Sequence, residues 1–390
     1  MKNTVYLLFI LVTGSIAQAQ LSISSGEHNL EISARLSTYY NQRFLNPGEE
    51  ERDKNRFKLR DAQLIIEGRI KNDWEYEVQV DFADIGANSS TDIDPANPGL
   101  MDAFVTYKGF DPFNIKVGYS KLPYSRSSLT PFPYSTYWQR AQVVRGDIFS
   151  RRDVGITLYK DLWKKRINAY AGMYTGLGEA SISGDNDASG NPEFIGRVDL
   201  SYPAPMKYRQ VDYVHTPIPL FSIGVNGRYS NKNLPEGEVF PEGATGEYGL
   251  KLIDGKKYTY GMDLTFQYMG FSGQFEIHQV NAQPQNENDP LFLGLTPEQT
   301  DGKVLAGGYF SEVNYFFKKQ KTIVSVRYEQ LDLNDLNQGD SKRMSAAIAY
   351  QLKGFNAMVK LQYFNNLNQQ ESLDPLDWNE QVRLGLQFNL

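Results

Sequence analysis

The feature that most constrains the fold is an alternation of apolar and polar residues that recurs along the whole chain. In residues 74–82 every second residue is apolar, with glutamate, glutamine or aspartate between, and residues 257–268 repeat the pattern. Successive side chains of a strand point to opposite faces, so each such block predicts a strand with one apolar and one polar face. The chain is therefore predicted to be all-β.

The lengths of the strands and loops indicate what kind of β protein this is. The blocks run to about 9–12 residues, whereas strands of soluble proteins centre on about 5–6. Aromatic residues end the apolar faces, and short turns alternate with long polar loops, as in outer-membrane barrels. These features favour a transmembrane antiparallel β-barrel of about 16 strands over a soluble sandwich. Residues 203–218 are an exception that the pattern does not explain, because they form a long connection on the short-turn side.

The predicted strands are as follows. They span residues 28–41, 56–70, 74–83, 101–108, 113–120, 153–160, 165–175, 194–202, 219–230, 257–268, 271–281, 304–317, 322–331, 342–352, 355–364 and 380–390.

The first residues of the chain have the pattern of a signal peptide. Lys2 supplies the positive charge, an apolar run follows, and Ala17-Gln18-Ala19 forms an A-x-A cleavage site. The expected organisation is a signal peptide over 1–19 and a β-barrel over 20–390, located in the bacterial outer membrane.

Composition argues against several classes of function. The chain has no cysteine, only three histidines and a formal net charge of −6, so a thiolate metal site and a nucleic-acid partner are both disfavoured. Ser272 and His278 share one strand face but lie about 20 Å apart at a rise of about 3.4 Å per residue, too far for a catalytic dyad. We therefore predict no catalytic residues, no metal and no cofactor.

Residues 121–152, which we call the basic segment, are the most informative long loop. The segment carries six basic residues against the single acid Asp147, and it is rich in aromatic residues and proline. A long apolar loop should pack on the inner wall of the barrel, where guanidinium groups would attract anions. The candidate anion-contacting residues of a pore constriction are Lys121, Arg126, Arg140, Arg145, Arg151 and Arg152. The alternative is that these residues brace the loop against acidic wall residues or bind lipopolysaccharide phosphates outside.

Further basic residues fall on the predicted lumen faces of the strands. A water-filled lumen also needs charges for solvation, so these residues suit anion conduction without requiring it. They are Arg35, Lys116, Arg166, Arg197, Arg228, Arg327, Arg343, Lys360 and Arg383.

Four stretches of sequence resemble one protein family. Residues 72–76 (Asn-Asp-Trp-Glu-Tyr), 101–107 (Met-Asp-Ala-Phe-Val-Thr-Tyr), 117–125 (Val-Gly-Tyr-Ser-Lys-Leu-Pro-Tyr-Ser) and 152–156 (Arg-Asp-Val-Gly-Ile) are similar, in this order, to segments of the phosphate-selective porin O and P family. The resemblance covers about 56–175. It implies a sixteen-stranded, trimeric porin whose third loop folds into the lumen.

The sequence therefore predicts an outer-membrane porin for passive diffusion of small anionic solutes, with phosphate as one candidate. The expected partners are outer-membrane lipid, lipopolysaccharide, small anions and two further copies of the chain in a homotrimer. The alternative is a structural or accessory outer-membrane barrel in a larger complex, without an open conduit.

Overall fold

The computed structural model describes residues 21–44, 55–83, 99–183, 188–241, 243–337, 340–367 and 380–390. The predicted signal peptide lies outside these residues. No helix in the described part of the chain is both long and apolar enough to cross a membrane.

Seventeen strands account for nearly all of the regular structure. They are β1 (Leu21–Ser25), β2 (His28–Phe44), β3 (Asn55–Ile70), β4 (Trp74–Asp81), β5 (Leu100–Tyr107), β6 (Asn114–Lys121), β7 (Arg152–Leu162), β8 (Ile167–Tyr174), β9 (Glu193–Tyr202), β10 (Leu220–Lys232), β11 (Gly255–Tyr268), β12 (Phe271–Pro284), β13 (Val304–Phe317), β14 (Thr322–Asp332), β15 (Ser341–Gln351), β16 (Ala357–Asn366) and β17 (Glu380–Asn389). All sixteen predicted strands are present, each within a few residues of its predicted ends.

The sixteen strands β2 to β17 form a closed antiparallel barrel. Each pairs with its neighbour in sequence, and β17 pairs with β2 from Glu380 opposite Phe44 to Asn389 opposite Arg35. Because the barrel is closed, its sheet has no free edge. A free edge in lipid would leave backbone N–H and C=O groups without hydrogen-bond partners. The prediction of an antiparallel barrel of about 16 strands is confirmed.

The short strand β1 was not predicted. It folds back on the first residues of β2, with Leu21 opposite Ile32 and Ser25 opposite His28. β1 thus pairs with residues 28–32 of β2, next to residues 35–44 of the same strand, which pair with β17.

Burial alternates along the strands as the sequence pattern predicts. Leu264 is 42% exposed and Leu384 is 41% exposed, whereas their neighbours Asp263 and Arg383 are fully buried. The apolar side chains therefore form the outer face of the barrel, and the polar side chains form its inner face.

A β-bulge interrupts this alternation in β3. The register between β2 and β3 shifts after Ser37, which pairs with Asp61, whereas Thr38 pairs with Leu59. Arg60 is therefore the extra residue, and its side chain is buried like that of its neighbour Asp61. A bulge adds one residue to one strand and so reverses the faces beyond it. Strict alternation from Glu67 would instead place Arg60 on the outer face.

Near the long-loop end of the barrel, an apolar core joins the basic segment to the wall. Leu122, Val144 and Phe149 of the segment pack in one buried cluster with Val280 of β12 and Phe310 of β13. A solvated loop would not bury such residues, so hydrophobic burial attaches this part of the segment to the β12–β13 side.

Candidate functional site

The basic segment has a compact local structure. It contains the helix α1 (Arg126–Leu129) and two short 3₁₀ helices, Phe132–Tyr134 and Gln142–Val144. Ser125 caps α1: its hydroxyl accepts a hydrogen bond from the backbone N–H of Ser128 at 3.2 Å. Such caps satisfy amide groups that the first helical turn leaves free. The segment thus satisfies part of its own backbone.

Hydrogen bonds attach the segment to the inner face of the wall. The Ser125 hydroxyl and the Ser127 N–H each donate to the Glu276 carboxylate of β12 at 2.6 Å. The Trp138 N–H donates to Gln362 of β16 at 2.8 Å. Wall side chains also donate to segment carbonyls: Lys360 to Ser135, Gln387 to Pro133, Lys257 to Ile148 and Arg228 to Ser150. The contacts therefore extend from β10 to β17.

The connection between β9 and β10, residues 203–219, whose length the sequence pattern did not explain, contacts the basic segment from the short-turn end of the barrel; we call it the connecting segment. The Gln210 side chain accepts a hydrogen bond from the Thr136 N–H at 3.1 Å. Tyr213 stacks on Tyr134 with 6.1 Å between ring centroids. The two segments therefore contact each other, and the connecting segment also packs on residues of β13 to β16.

Arg126 belongs to this contact. Its guanidinium donates to the Lys207 carbonyl at 2.9 Å and lies 4.9 Å from the ring centroid of Tyr208. Burial raises the pKa of Tyr208 well above its ordinary value, so its hydroxyl stays protonated. The interaction of Arg126 with Tyr208 is therefore that of a cation with a neutral ring.

On the other side of the basic segment a cavity of about 210 Å³ separates it from β2 to β6; we call this cavity the passage. Its charged lining consists of seven basic residues and three acidic residues. They are Arg35, Arg60, Lys121, Arg140, Arg145, Arg151 and Arg152, with Asp61, Glu67 and Glu77.

Five of the six candidate residues line the passage: Lys121, Arg140, Arg145, Arg151 and Arg152. The structure therefore brings these five together and places Arg126 elsewhere.

Hydrogen bonds fix the positions of three of these arginines. Arg152 forms a buried ion pair with Asp102 of β5 at 3.0 Å. Arg140 donates to the carbonyls of Ser127 and Thr130, and Arg145 donates to the Arg140 carbonyl at 3.2 Å. The contacts with backbone carbonyls orient Arg140 and Arg145, whereas the Asp102 carboxylate both orients Arg152 and offsets its charge.

Two residues of the passage were absent from the candidate set. Arg35 was predicted to face the lumen, but no signal in the sequence placed it opposite the basic segment. Arg60 was missed because the bulge in β3 turns it inward. A run of Arg56, Lys58 and Arg60 at every second position is a signal that could have indicated a change of face.

The inner wall next to the passage carries more basic residues. Arg383 lies near Arg145, Arg343 and Arg60, and Lys360 lies near the acidic Asp61 as well as near Arg60 and Arg35. Amide oxygens hold three of them: Arg383 donates to Asn41 at 3.0 Å, Lys360 to Gln387 at 2.7 Å and Arg35 to Gln63 at 2.7 Å. Amides accept these hydrogen bonds without cancelling the positive charge.

The opposite wall has a different charge pattern. There Arg197 pairs with Asp263 at 2.7 Å, Arg228 with Glu193 at 2.8 Å and Arg327 with Glu329 at 3.2 Å. Carboxylates neutralise these arginines. On the side of the passage, by comparison, seven basic residues share the lining with three acidic residues.

Arg166 and His278, which the sequence analysis also considered, lie outside the passage. Arg166 was predicted to face the lumen, which is wrong: it lies in the turn before β8, over the rings of Trp163 and Tyr202 at 5.0 and 5.9 Å. The buried His278 contacts Glu276 at 3.0 Å and Tyr124 at 3.1 Å. One ring nitrogen of His278 therefore contacts the basic segment, and the other contacts Glu276, which itself accepts hydrogen bonds from Ser125 and Ser127.

Solved structures of bacterial outer-membrane proteins share this fold. The channel DcaP of Acinetobacter baumannii is 11% identical with a TM-score of 0.57, and the alignment covers 94% of this chain and 99% of that chain. OmpT of Vibrio cholerae lacking loop L8 is 11% identical with a TM-score of 0.56, covering 94% and 100%. A trimer form of OmpT is 10% identical with a TM-score of 0.52, covering 94% and 100%. At such identities the likeness concerns the fold alone.

Sequence comparison gives a more specific result. No curated protein is significantly similar to the chain. The model of the family described as phosphate-selective porin O and P matches residues 32–204, which include the basic segment and the nine residues of the wall opposite it that line the passage. Residues 32–204 are therefore similar to the phosphate-selective porin O and P family, in agreement with the resemblance seen in the sequence.

Proposed function

We propose that this outer-membrane porin lets small anionic solutes diffuse passively through the passage, with phosphate as one candidate. The observation that supports the proposal best is the charge of the lining: seven basic residues and three acidic residues surround a cavity of about 210 Å³. In this proposal the basic segment folds into the lumen and narrows it to this passage. The porin family and fold favour such a channel over an enzyme.

Local electrostatics explains how an acidic protein could select anions. The whole chain has a formal net charge of −6, so its average field would favour cations. A narrow site with low-dielectric walls strengthens nearby charges and focuses their field. Guanidinium groups also offer paired donors to phosphate or carboxylate oxygens. The passage, not the whole protein, would then determine which ions cross.

Conduction sets an upper limit on how strongly the anion can be held. Binding must recruit the ion from bulk solution but still release it at the other end. Asp61, Glu67 and Glu77 in the lining offset part of the positive charge. We therefore expect weak, rapidly reversible anion binding.

The test is the reversal potential of the purified protein in planar bilayers under a KCl gradient. Wild type should prefer chloride, and the single variants Arg60→Ala, Arg145→Ala and Arg151→Ala should each lower the anion-to-cation permeability ratio. The effect should be larger at 0.1 M than at 1 M salt, because the Debye length falls from about 10 Å to about 3 Å. Arg166→Ala is the matched control, since Arg166 lies in a turn outside the passage. A wild-type preference for potassium, or variants that leave the reversal potential unchanged, would contradict the proposal.

The second candidate function is an accessory barrel without an open conduit. The observation that favours it is the filling of the interior, where the basic segment and the connecting segment meet at Thr136 and Gln210. Bilayer recording separates the two functions, because a correctly folded accessory barrel would insert without producing ionic current.

We also propose that the protein is a homotrimer in outer-membrane lipid and lipopolysaccharide, with residues 1–19 removed. The trimer form of OmpT, a protein of the same fold, supports this assembly. Native mass spectrometry of protein extracted from the membrane should give three times the mass of a chain starting at Gln20. A monomer mass, or a mass that includes residues 1–19, would contradict the corresponding part of the proposal.

A further inference from the structure

A second cavity lies at the long-loop end of the barrel, across from the passage. It has a volume of about 740 Å³ and is formed by residues of the loops 233–254, 285–303 and 333–340; we call it the loop pocket. Clefts of roughly 300–1,000 Å³ are typical of sites that bind small organic molecules. The loop pocket is therefore large enough for such a ligand.

The lining of the loop pocket is mainly apolar. Leu252, Ile253, Leu291 and Leu333 form a buried floor. Val239, which is 81% exposed, and Leu293, which is 49% exposed, lie at its edge. Exposed apolar side chains beside an apolar cleft are characteristic of a site that binds an apolar group.

Hydrogen bonds between the three loops hold the pocket open in one shape. Asp254 accepts from the Leu234 N–H at 2.9 Å and from the Gln285 side chain at 2.6 Å. Asn334 donates to the Leu291 carbonyl at 2.9 Å. The pocket is thus preformed, and a ligand would not have to order its walls.

The charge around the pocket has one dominant sign. The three loops contain eleven acidic residues and two lysines. Both lysines already have acidic partners: Lys303 lies 2.6 Å from Asp301, and Lys251 lies 3.9 Å from Glu179. All four charged residues of the lining are acidic, and two of them, Glu238 and Glu247, are exposed.

We propose that the loop pocket binds an organic cation with an aromatic or aliphatic body. The body occupies the floor formed by Leu252, Ile253 and Leu291, and the positive group lies near Glu238 and Glu247. This site differs from the passage in position, in polarity and in the sign of the charge that it attracts. It is therefore a separate binding function on the same barrel, independent of anion conduction.

The test compares two probes of the same size and opposite charge, 1-naphthylmethylammonium and 1-naphthoate. Binding is measured by equilibrium dialysis at 0.15 M salt with the full barrel in lipid nanodiscs, after subtraction of uptake by empty nanodiscs. Wild type should bind the cation at least tenfold more tightly than the anion. Val239→Trp, an exposed change at the edge of the pocket, should weaken binding of the cation at least fivefold.

A matched pair of double variants separates pocket binding from general surface charge. Glu238→Lys with Glu247→Lys should reverse the preference between the two probes. Glu236→Lys with Glu287→Lys makes the same change of charge in the same loops at residues that do not line the pocket, and it should keep the wild-type preference. Equal binding of both probes to wild type, equal effects of the two double variants, or a Val239→Trp variant that binds like wild type would each overturn the proposal.

Discussion

At the scale of single residues, some basic side chains of this barrel form ion pairs with carboxylates, whereas others donate hydrogen bonds to uncharged amide or carbonyl oxygens. Arg152 and Asp102 form an ion pair that is nearly inaccessible to solvent, at the point where the basic segment returns to the wall. A buried pair of this kind adds little stability by itself, because desolvation offsets most of the attraction. Removing only one partner is different, since the remaining charge stays buried without compensation.

We therefore expect Asp102→Ala to lower the free energy of unfolding by about 3–5 kcal/mol. The measurement is urea unfolding in lipid vesicles, followed by the mobility shift between folded and unfolded barrel on gel electrophoresis. The control is Asp301→Ala, which breaks the exposed pair with Lys303. Solvent screens such a pair, so its loss should not measurably change the midpoint. Similar midpoint shifts in the two variants would show that the burial of Asp102 has no energetic consequence.

At the scale of elements, each strand works as a boundary between lipid and water. In β11 the outward residue Leu264 lies between the buried polar residues Asp263 and Thr265. A substituted side chain on such a strand therefore lies in an apolar or a polar environment, depending on whether its position points outward or inward. It also meets a different depth according to its distance from the turn.

Leu264→Arg should destabilise the barrel by about 2–4 kcal/mol if this position lies near the middle of the bilayer. Tyr268→Arg changes a residue of the same face at the end of β11, beside the turn at Met269 and Gly270, where the cost should fall to about 0–1 kcal/mol. Unfolding in lipid vesicles measures both. Equal costs at the two positions would mean that the outer face of β11 does not follow the depth of the membrane.

At the scale of the whole molecule, two segments that start from opposite ends of the barrel contact each other. The basic segment comes from the long-loop end, and the connecting segment comes from the short-turn end. Their contacts lie at Thr136 with Gln210 and at Tyr134 with Tyr213. Together they occupy the side of the interior whose arginines are neutralised by carboxylates, and they leave the passage on the strongly basic side.

Replacing residues 203–219 with a short Gly-Ser turn should open a second route through the barrel. The hairpin is geometrically feasible, because Tyr202 and Phe221 are already opposite each other in the register of β9 and β10. We expect the single-channel conductance to rise and the anion preference to fall, since the new route runs along neutralised arginines. The control is a matched deletion within the exposed stretch 296–301. An unchanged conductance in a correctly folded variant would show that the connecting segment does not block flow.

The sequence by itself determined the strands, their faces and the site's main component. All sixteen barrel strands were predictable, and the strand over 304–317 was predicted to the residue, because alternation with period two is a local property of a strand between two environments. The basic segment was predictable for a similar reason: its charge and its aromatic residues are contiguous. Five of its six candidate residues line the passage.

Only the tertiary structure decided which side of the barrel the basic segment leaves open, and therefore which residues face each other across the passage. Arg126 and Arg140 are both arginines of the basic segment, yet Arg126 contacts the connecting segment while Arg140 lines the passage. Arg60 enters the lining through a bulge whose position depends on the partner strand β2. Each of these outcomes depends on contacts between residues far apart in the chain, and a local pattern of polarity contains no information about such partners.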